Sequence, residues 1–411
     1  AGVTRTTDRA REFEQFQQRE GMGLNDFALW CALVDTRGDP LGWPDEIADV
    51  TSTAVSAARV QLGPLIEFHM WCQWILDEQF ESAQARAVDS GMALGILHDL
   101  AVGVHPEGSD AWALSAVLAR DIEVGAPPDM YNQIGQNWSQ PPWRPDALVD
   151  SAYIPFRDML RTILRHSGGI RVDHVLGLFR LWWIPKGTSA DKGTYVRYDH
   201  EALLGILALE ATLANAVVIG EDLGTLEPWV QDALRERGFL GTTVEWFETE
   251  HDGRPRDPRQ WRELSLASVT VHDLPPSAGY LAGEHVRLRN ELGLLTESFD
   301  HEWTSYERSR ELWVAALLSE GLLKEPYSTD DIVVALHARA AQSPARLLAV
   351  ALVDAVGDRR AQNQPGTDQE YPNWRIPLCD ADGNAVLVEQ LAESELAARI
   401  IRSITPVRVD G

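Results

Sequence analysis

The sequence predicts an α/β fold of the (β/α)₈ barrel type, and three observations lead to this prediction. Six short runs of apolar or β-branched residues follow residue 90, mostly separated by stretches with helical periodicity. Acidic residues close three of these runs at intervals of 48 and 52 residues. This interval is about the length of one strand, one helix and their loops. A chain of 411 residues can place most of its length in one such domain.

The first part of the chain is predicted to be helical. From Thr6 to Val34 and from Leu65 to Ser90, apolar residues recur at helical spacing, and neither segment shows a strand pattern. The Gly- and Pro-rich cluster at 38–44 predicts a loop between the two helices.

The strands are predicted in the rest of the chain, with helical stretches such as Trp229–Gly238 between them. A closed barrel needs eight strands, so two are either unrecognised or outside this chain. The six candidates are Met92–His98, Ile170–Val172, Ala216–Gly220, Thr242–Trp246, Ala267–Val271 and Leu347–Val353.

The net charge of the chain limits the classes of binding partner that are expected. The formal net charge is -26, from 36 basic and 62 acidic residues. A field of this sign repels phosphate backbones and anionic lipid surfaces, so nucleic acid and membrane partners are not expected. A neutral substrate such as a sugar is compatible with it.

The cysteines indicate a reducing compartment. Cys31, Cys72 and Cys379 lie far apart and lack the paired spacing of a zinc site or a disulfide framework. No run approaches the roughly 18 apolar residues that span a bilayer, and the start of the chain lacks the apolar core of a signal peptide. We therefore expect a cytoplasmic protein.

Asp173, Glu221 and Asp273 are the acids that close three of the predicted strands. The carboxyl ends of parallel strands lie on one face, where barrel enzymes place their chemistry. A nucleophilic carboxylate, a proton-shuttling carboxyl group and a third acid that stabilises an electron-poor sugar ring are what a retaining glycosidic-bond enzyme requires. The pattern therefore predicts carbohydrate chemistry.

Each acid has a structural alternative. Arg171 lies two positions before Asp173 on the same strand face, where it either keeps a nucleophile ionised and oriented or forms a structural ion pair. Glu221 follows four apolar residues, so a partly desolvated general acid is one reading and a role at the next helix N-terminus is the other. His272 and Asp273 are suited to bind adjacent sugar hydroxyls, or form a structural hydrogen bond.

Taken together, these segments resemble the 4-α-glucanotransferases of the amylomaltase type, also called disproportionating enzymes. The resemblance implies Asp173 as nucleophile, Glu221 as general acid/base and Asp273 as transition-state stabiliser, with Arg171 and His272 in contact with sugar. Three segments are similar to that family's catalytic strands, namely Ile170-Arg171-Val172-Asp173-His174, Glu221-Asp222-Leu223-Gly224 and Val271-His272-Asp273. Gly177 and Trp183-Ile184-Pro185 are similar to the residues that follow the first of these strands.

Further segments resemble the same family and imply substrate contacts. In the segment similar to the loop over its active-site groove, Trp138 offers an apolar face for a pyranose ring, while Gln136 and Asn137 offer hydrogen bonds to hydroxyls. An ordinary proline-rich surface loop has the same composition. Asp99 and Asn363 are also predicted to bind substrate. The segments are Gly125-Ala126-Pro127-Pro128-Asp129 continuing to Gly135-Gln136-Asn137-Trp138 and Pro141, His98-Asp99-Leu100, Asn363-Gln364-Pro365-Gly366-Thr367 and Asn373-Trp374-Arg375.

Two departures from the family pattern are present. The run Leu274-Pro275-Pro276-Ser277 stands where the family usually has an Asn-Asp-Thr-like run, which leaves the details of that loop open. The family's first two barrel strands have no counterpart before residue 90, so we expect the amino-terminal part to be absent or supplied elsewhere. The resemblance then implies a helical subdomain at 1–90 before the third barrel strand. Strands three to eight are expected in 91–411, with a substrate-loop insertion at about 100–150.

The implied reaction is transfer of α-1,4-glucan segments between maltooligosaccharides through a covalent glucosyl–aspartate intermediate. The sequence gives no sign of an organic cofactor or a required metal. Two alternatives stay open. One is a metal-dependent barrel hydrolase with ligands from His98-Asp99, Asp173-His174 and His272-Asp273, although the chain has no His-x-His pair. The other is a catalytically silent glucan-binding barrel.

Overall fold

The computed structural model describes residues 8–128, 135–224, 227–367 and 369–405, so the predicted loop residue Asp129 lies outside the described part. The chain divides into unit 1, Ala1–Asp222, and unit 2, Leu223–Gly411. Both units combine helices and strands, which confirms the predicted α/β class. The predicted subdomain boundary near residue 90 stays a prediction.

Unit 1 begins with the helical part that the sequence predicts. Its helices are α1 Asp8–Arg37, α2 Asp45–Ala48, α3 Thr53–Gln61, α4 Gly63–Asp89, α5 Ser109–Ala113, α6 Pro145–Asp150, α7 Ile154–Leu164 and α8 His200–Ala214. Its strands are β1 Leu97–Leu100, β2 Ile122–Ala126, β3 Gln136–Asn137, β4 Gly169–Val172, β5 Arg180–Pro185, β6 Thr194–Arg197 and β7 Val217–Gly220.

The long helices α1 and α4 pack against each other around a tryptophan-rich core. Trp43, Trp74 and Trp112 are buried there, and the indole N–H of Trp112 donates to the carbonyl of Ile47 at 2.8 Å. Burial of an indole is favourable when its N–H finds a partner in this way. Most tryptophans of this region are therefore structural.

Unit 1 contains two sheets. The parallel sheet has the order β1-β4-β7 and overlaps three of the predicted strands, although β1 begins at Leu97 and not at the predicted Met92. The antiparallel sheet has the order β3-β2-β5-β6 and was not predicted. In it, the segment expected to be a substrate loop is partly a hairpin, because Gly125 pairs with Asn137 and Ala126 with Gln136.

Unit 2 contains strands that overlap the remaining three predictions, but the strand predicted to run to Val271 ends at Ser268, so Asp273 follows it only after four intervening residues. Its helices are α9 Pro228–Glu236, α10 Ser277–Leu281, α11 Glu284–Glu291, α12 Phe299–Ser319, α13 Thr329–Ala340, α14 Leu352–Val356 and α15 Glu395–Ile404. Its strands are β8 Gly241–Val244, β9 Ser265–Ser268 and β10 Leu347–Ala349. They form a parallel sheet in which β9 is central.

The core of unit 2 lies between this sheet and the helices α12, α13 and α15. Helix α13 begins at a capping box, in which Ser328 and Asp331 satisfy each other's backbone amides. The strand predicted at Leu347–Val353 ends at Ala349, and helix α14 begins at Leu352. Helix α14 is followed by the capping residue Gly357, whose φ of 77° lies in the left-handed region that glycine enters without strain.

No helix within the described ranges combines the length and the apolar character that a membrane span requires.

Candidate active site

Asp173 and Glu221 follow directly on two neighbouring parallel strands of unit 1. Strands β4 and β7 pair in the register Val172 to Gly220, so both acids come next after a paired residue. The ladder continues beyond the strands, because the amide of Glu221 donates to Val172 at 2.9 Å and the amide of Val175 donates to Glu221 at 3.0 Å. Neighbouring strands lie about 4.8 Å apart, so the two acids occupy adjacent positions at the carboxyl end of one sheet.

Arg171 connects two carboxylates on this edge. Its Nη1 lies 2.7 Å from Asp99 Oδ1 and 2.9 Å from Asp173 Oδ1, and its side chain is only 14% exposed. Burial disfavours the charged guanidinium, but the hydrogen bond and charge of Asp99, with the charges of Asp173 and Glu221, raise the pKa of Arg171 above its ordinary value. The cation is therefore permanent, and the pairing with Asp173 expected from the sequence is present.

The carboxylate of Glu221 is oriented by the backbone that follows Asp173. The amide of His174 donates to Glu221 Oε2 at 3.0 Å. His174 has a φ of 43°, in the left-handed region that non-glycine residues rarely adopt. Because burial lowers the pKa of His174 to about 4, its imidazole is neutral at physiological pH. The unusual backbone conformation thus aims an amide at the second carboxylate.

The hairpin side chains lie beside this edge, with much of their polar capacity already used. The rings of Trp138 and His174 are 5.2 Å apart in an edge-to-face arrangement. The indole N–H of Trp138 donates to Gln136 Oε1 at 3.0 Å, and the Asn137 amide donates to Glu123 at 2.7 Å. Asp99, which faces Arg171, is likewise partly engaged. The predicted sugar contacts of Gln136, Asn137, Trp138 and Asp99 stay predictions.

In unit 2, Asp273 is held from two sides. His272 Nε2 lies 3.2 Å from Asp273 Oδ2, and the Asn363 side-chain amide donates to Asp273 Oδ1 at 2.6 Å. Asn363, predicted as a sugar ligand, therefore orients the third acid. Because the amide donates to one oxygen and the imidazole faces the other, rotation of the carboxylate is restricted.

Trp374 was not singled out as a candidate by the sequence reasoning. It is 63% exposed, and its ring centroid lies 4.9 Å from that of His272. Its φ of 61° is left-handed, and its amide donates to Gln362 at 2.9 Å. The Asn373-Trp374 pair in an irregular segment was the available signal, since most of the 15 tryptophans are expected in cores. An exposed indole beside His272 offers a flat apolar face for a sugar ring.

Among the described residues, no group of three or more His, Cys, Asp or Glu side chains is placed to hold a metal ion. Burial and the neighbouring His166 lower the pKa of His98, which was one of the ligands considered from the sequence. The metal-dependent alternative is addressed by the chelator experiment below.

Sequence comparison gives a consistent group of relatives. A family model described as 4-alpha-glucanotransferase matches residues 2–381. The 4-alpha-glucanotransferase of Mycobacterium tuberculosis is 52% identical over 409 residues, which cover 98% of this chain and 56% of that protein. The protein of the same name from Haemophilus influenzae is 33% identical over 343 residues, which cover 81% of this chain and 49% of that protein. The chain thus spans about half the length of these relatives.

Solved structures agree with this grouping. Amylomaltase from Corynebacterium glutamicum superimposes with a TM-score of 0.87 at 50% identity, over 98% of this chain and 57% of that chain. Amylomaltase from Streptococcus agalactiae, solved in complex with acarbose, gives a TM-score of 0.75 at 20% identity, over 97% of this chain and 75% of that chain. The second likeness concerns the fold.

Proposed function

We propose that this chain, which belongs to the 4-alpha-glucanotransferase family, transfers α-1,4-glucan segments between maltooligosaccharides. The proposal includes a (β/α)₈ barrel, of which this chain supplies about six strands, and the cytoplasmic location expected from the sequence. It assigns Asp173 as nucleophile, Glu221 as general acid/base and Asp273 as transition-state stabiliser.

One observation carries the proposal: Asp173 and Glu221 follow a register pair of two neighbouring strands. Strands in a sheet are about 4.8 Å apart. Retaining enzymes separate their two carboxyl groups by about 5 to 5.5 Å, whereas inverting enzymes need about 6.5 to 9.5 Å to admit a water molecule. Adjacent strand positions therefore support retention of configuration through a covalent intermediate.

The first half-reaction cleaves the donor glucan. Glu221, protonated, gives its proton to the glycosidic oxygen while an Asp173 oxygen attacks the anomeric carbon. The bond to the leaving chain breaks and an ester to Asp173 forms. Arg171, 2.9 Å from Asp173, keeps this carboxylate ionised and oriented before the attack. Asp273 stabilises the positive charge that develops on the sugar ring.

The second half-reaction transfers the chain to the acceptor. The 4-hydroxyl of a second glucan loses its proton to Glu221 and attacks the anomeric carbon, so that Asp173 leaves as a carboxylate. The His174 amide, 3.0 Å from Glu221 Oε2, holds the acid/base in place for both steps. Transfer exceeds hydrolysis when the acceptor site holds sugar and excludes water, a role we assign to Trp138.

Incubation of the purified chain with maltotriose, with and without a chelator, tests the proposal. We expect glucose together with a ladder of longer maltooligosaccharides in both samples. The Asp173→Ala variant serves as the control and should leave maltotriose unchanged. Loss of the ladder on chelation would instead favour the metal-dependent hydrolase.

A silent glucan-binding protein is separated from a transferase by a second measurement on the same sample. Acarbose, the ligand in the Streptococcus agalactiae amylomaltase structure, should bind the chain in calorimetry. Binding of acarbose or maltotriose without any change in maltotriose chain length would contradict the transferase proposal and support the silent binder.

A further inference from the structure

A cluster of three polar side chains lies in the core of unit 2, and one of its members, Ser277, follows Asp273 by four residues in the sequence. Ser277, His337 and Asp354 are each 0% exposed. The Ser277 amide donates to Asp354 Oδ1 at 2.7 Å, and the Ser277 hydroxyl donates to Asp354 Oδ2 at 2.6 Å. His337 Nε2 lies 3.6 Å from Asp354 Oδ2. Because these side chains are inaccessible to solvent, they cannot contact a substrate directly, and any effect on activity acts through the segments that they connect.

The cluster is costly to bury and is specifically paired. Burial raises the pKa of Asp354, while His337 and the two Ser277 donors oppose this increase. The Nδ1 of His337 lies 2.8 Å from the Val333 carbonyl and is assigned as the protonated nitrogen. Its Nε2 faces Asp354 Oδ2 at 3.6 Å, beyond hydrogen-bond distance, so the directional contacts of Asp354 are those from Ser277. Replacement by apolar side chains would avoid this cost but would lose the directional bonds to Ser277.

Those bonds fix the end of the segment that follows Asp273. Pro275 and Pro276 have no amide N–H, so Ser277 is the first backbone donor after Leu274. The Leu274 amide donates back to Val271 at 3.0 Å, and the hydroxyl of Thr270 donates to Pro275 at 2.9 Å. Asp354 supplies the remaining anchor where helix α10 starts.

Asp354 also belongs to the chain segment that reaches Asp273 from the other side. Nine residues after Asp354, Asn363 donates to Asp273 Oδ1 at 2.6 Å. Between them the segment lies directly against α10, because a Cβ atom at Gly279 would collide with the carbonyl oxygen of Arg359. The bonds from Asp354 to Ser277 thus join the segment that carries Asp273 to the segment that orients it.

We propose that Asp354, through Ser277, is a positioning residue for Asp273. The inference rests on the proposed function, in which Asp273 stabilises the transition state. A positioning role differs from ordinary core stability, because it acts on the chemical step and leaves ground-state binding of glucan nearly unchanged. Small displacements of a group that acts in the transition state cost far more rate than binding.

The test compares variants of two buried serines, Ser277 at the start of α10 and Ser265 at the start of β9. Ser277→Ala removes the hydroxyl bond to Asp354, whereas Ser265→Ala removes a 2.8 Å hydroxyl bond to Arg262 at the start of β9. Both serines are 0% exposed, and each variant loses one buried hydroxyl bond, with the larger loss of stability expected for Ser277→Ala because its partner is a carboxyl group. With maltotriose, Ser277→Ala should lower kcat about tenfold with KM within about twofold, while Ser265→Ala leaves both constants near those of the parent chain. Asp354→Asn should behave as Ser277→Ala does.

Equal kcat values for the two serine variants would overturn the inference, as would a rise in KM with unchanged kcat. Hydrogen exchange gives a readout that does not require turnover. The Leu274 amide should exchange faster in Ser277→Ala than in Ser265→Ala, and equal exchange would contradict the proposal. A parent chain that does not convert maltotriose would refute the proposed function, whereas the exchange comparison would still decide whether Asp354 anchors the segment that follows Asp273.

Discussion

At the scale of single residues, the roles proposed for Glu221 and Asp173 can be separated experimentally by a change of leaving group. Glu221→Gln removes the proton that the departing glycosidic oxygen needs, so maltotriose turnover should stop. A maltosyl fluoride donor needs no such proton, because fluoride leaves unaided. We therefore expect Glu221→Gln to form the ester with this donor and to release it slowly, because the base for the acceptor is also lost. Mass spectrometry of a protease digest should find the adduct on Asp173.

The matched control for this experiment is the double variant Asp173→Asn, Glu221→Gln, which should give no adduct. An adduct on another carboxylate would overturn the nucleophile assignment. Full turnover of maltotriose by Glu221→Gln would overturn the acid/base assignment instead.

Trp374 is the second residue whose role can be measured directly. Its exposed indole beside His272 should stack on a sugar ring, a contact worth about 1 kcal/mol. Trp374→Ala should therefore raise KM for maltooligosaccharides about fivefold. Trp229→Ala is the control, because Trp229 is also exposed, at 45%, but lies on α9. An equal change in both variants would mean that Trp374 has no special contact with glucan.

At the scale of elements, the hairpin formed by β2 and β3 presents Trp138 to His174. If this indole excludes water from the covalent intermediate, Trp138→Ala should shift products from transfer towards hydrolysis. The ratio of free glucose to longer oligosaccharides in a maltotriose digest measures the shift. Tyr195→Ala on β6 of the same antiparallel sheet should leave the ratio unchanged. A slower reaction with an unaltered ratio would assign Trp138 to binding only.

A buried carboxyl group between elements of unit 2 gives a prediction on stability. Glu245 and Arg339 are both 0% exposed, with Arg339 Nη1 at 3.2 Å from Glu245 Oε1. Arg339 also pairs with Glu320 at 2.9 Å, so its charge is already balanced. Burial raises the pKa of Glu245 to about 8, although Arg339 opposes the increase. The carboxyl group is therefore protonated in the folded protein at neutral pH.

The sign of the pH effect follows from this shift. The pKa of about 8 in the folded state exceeds the ordinary value of 4.5, so the folded state holds more protons between these limits. The stabilisation of the folded state by the protonated Glu245 carboxyl group is complete below about pH 4.5 and is lost as the pH rises through about 8. Glu245→Gln, a neutral isostere, should match the parent chain at pH 5 and exceed its free energy of unfolding at pH 9. Urea denaturation measures the free energy of unfolding at both pH values, and Glu263→Gln, at an exposed position, is the control. Parallel pH profiles for the two variants would contradict the prediction.

The elements also indicate what a sequence can predict. Four of the six parallel strands, β4, β7, β8 and β9, could be located because most of their residues are buried, which leaves apolar runs such as 217–220. The antiparallel strands β2, β5 and β6 mix charged and apolar residues, and β2 pairs with β5, which lies far along the chain, so no local pattern indicated this sheet. The same limit applies to Asp354. Its sequence context resembles a strand, and only tertiary packing brings it to Ser277.

At the scale of the whole molecule, the net charge of -26 gives a prediction about salt. Raising sodium chloride from about 0.05 M to about 0.5 M shortens the Debye length from about 14 Å to about 4 Å. Self-repulsion among the acidic side chains is then screened, so Tm should rise. A glucan carries no charge, and its encounter with the protein is not steered by this field. The ion pair of Arg171 with Asp173 is largely buried and is screened much less.

We therefore expect kcat/KM for maltotriose to change less than about twofold over this range of salt while Tm increases. Stopped assays at each salt concentration, at a temperature well below the lowest Tm, separate the two effects. The choice of chloride avoids the stronger exclusion of sulfate from protein surfaces, which would stabilise the fold for another reason. A steep fall in kcat/KM with salt would mean that an exposed charge takes part in substrate recognition, contrary to a site built for a neutral sugar. A kcat/KM that stays constant while Tm rises would mean that the acidic surface acts on stability, separately from the chemistry proposed at Asp173 and Glu221.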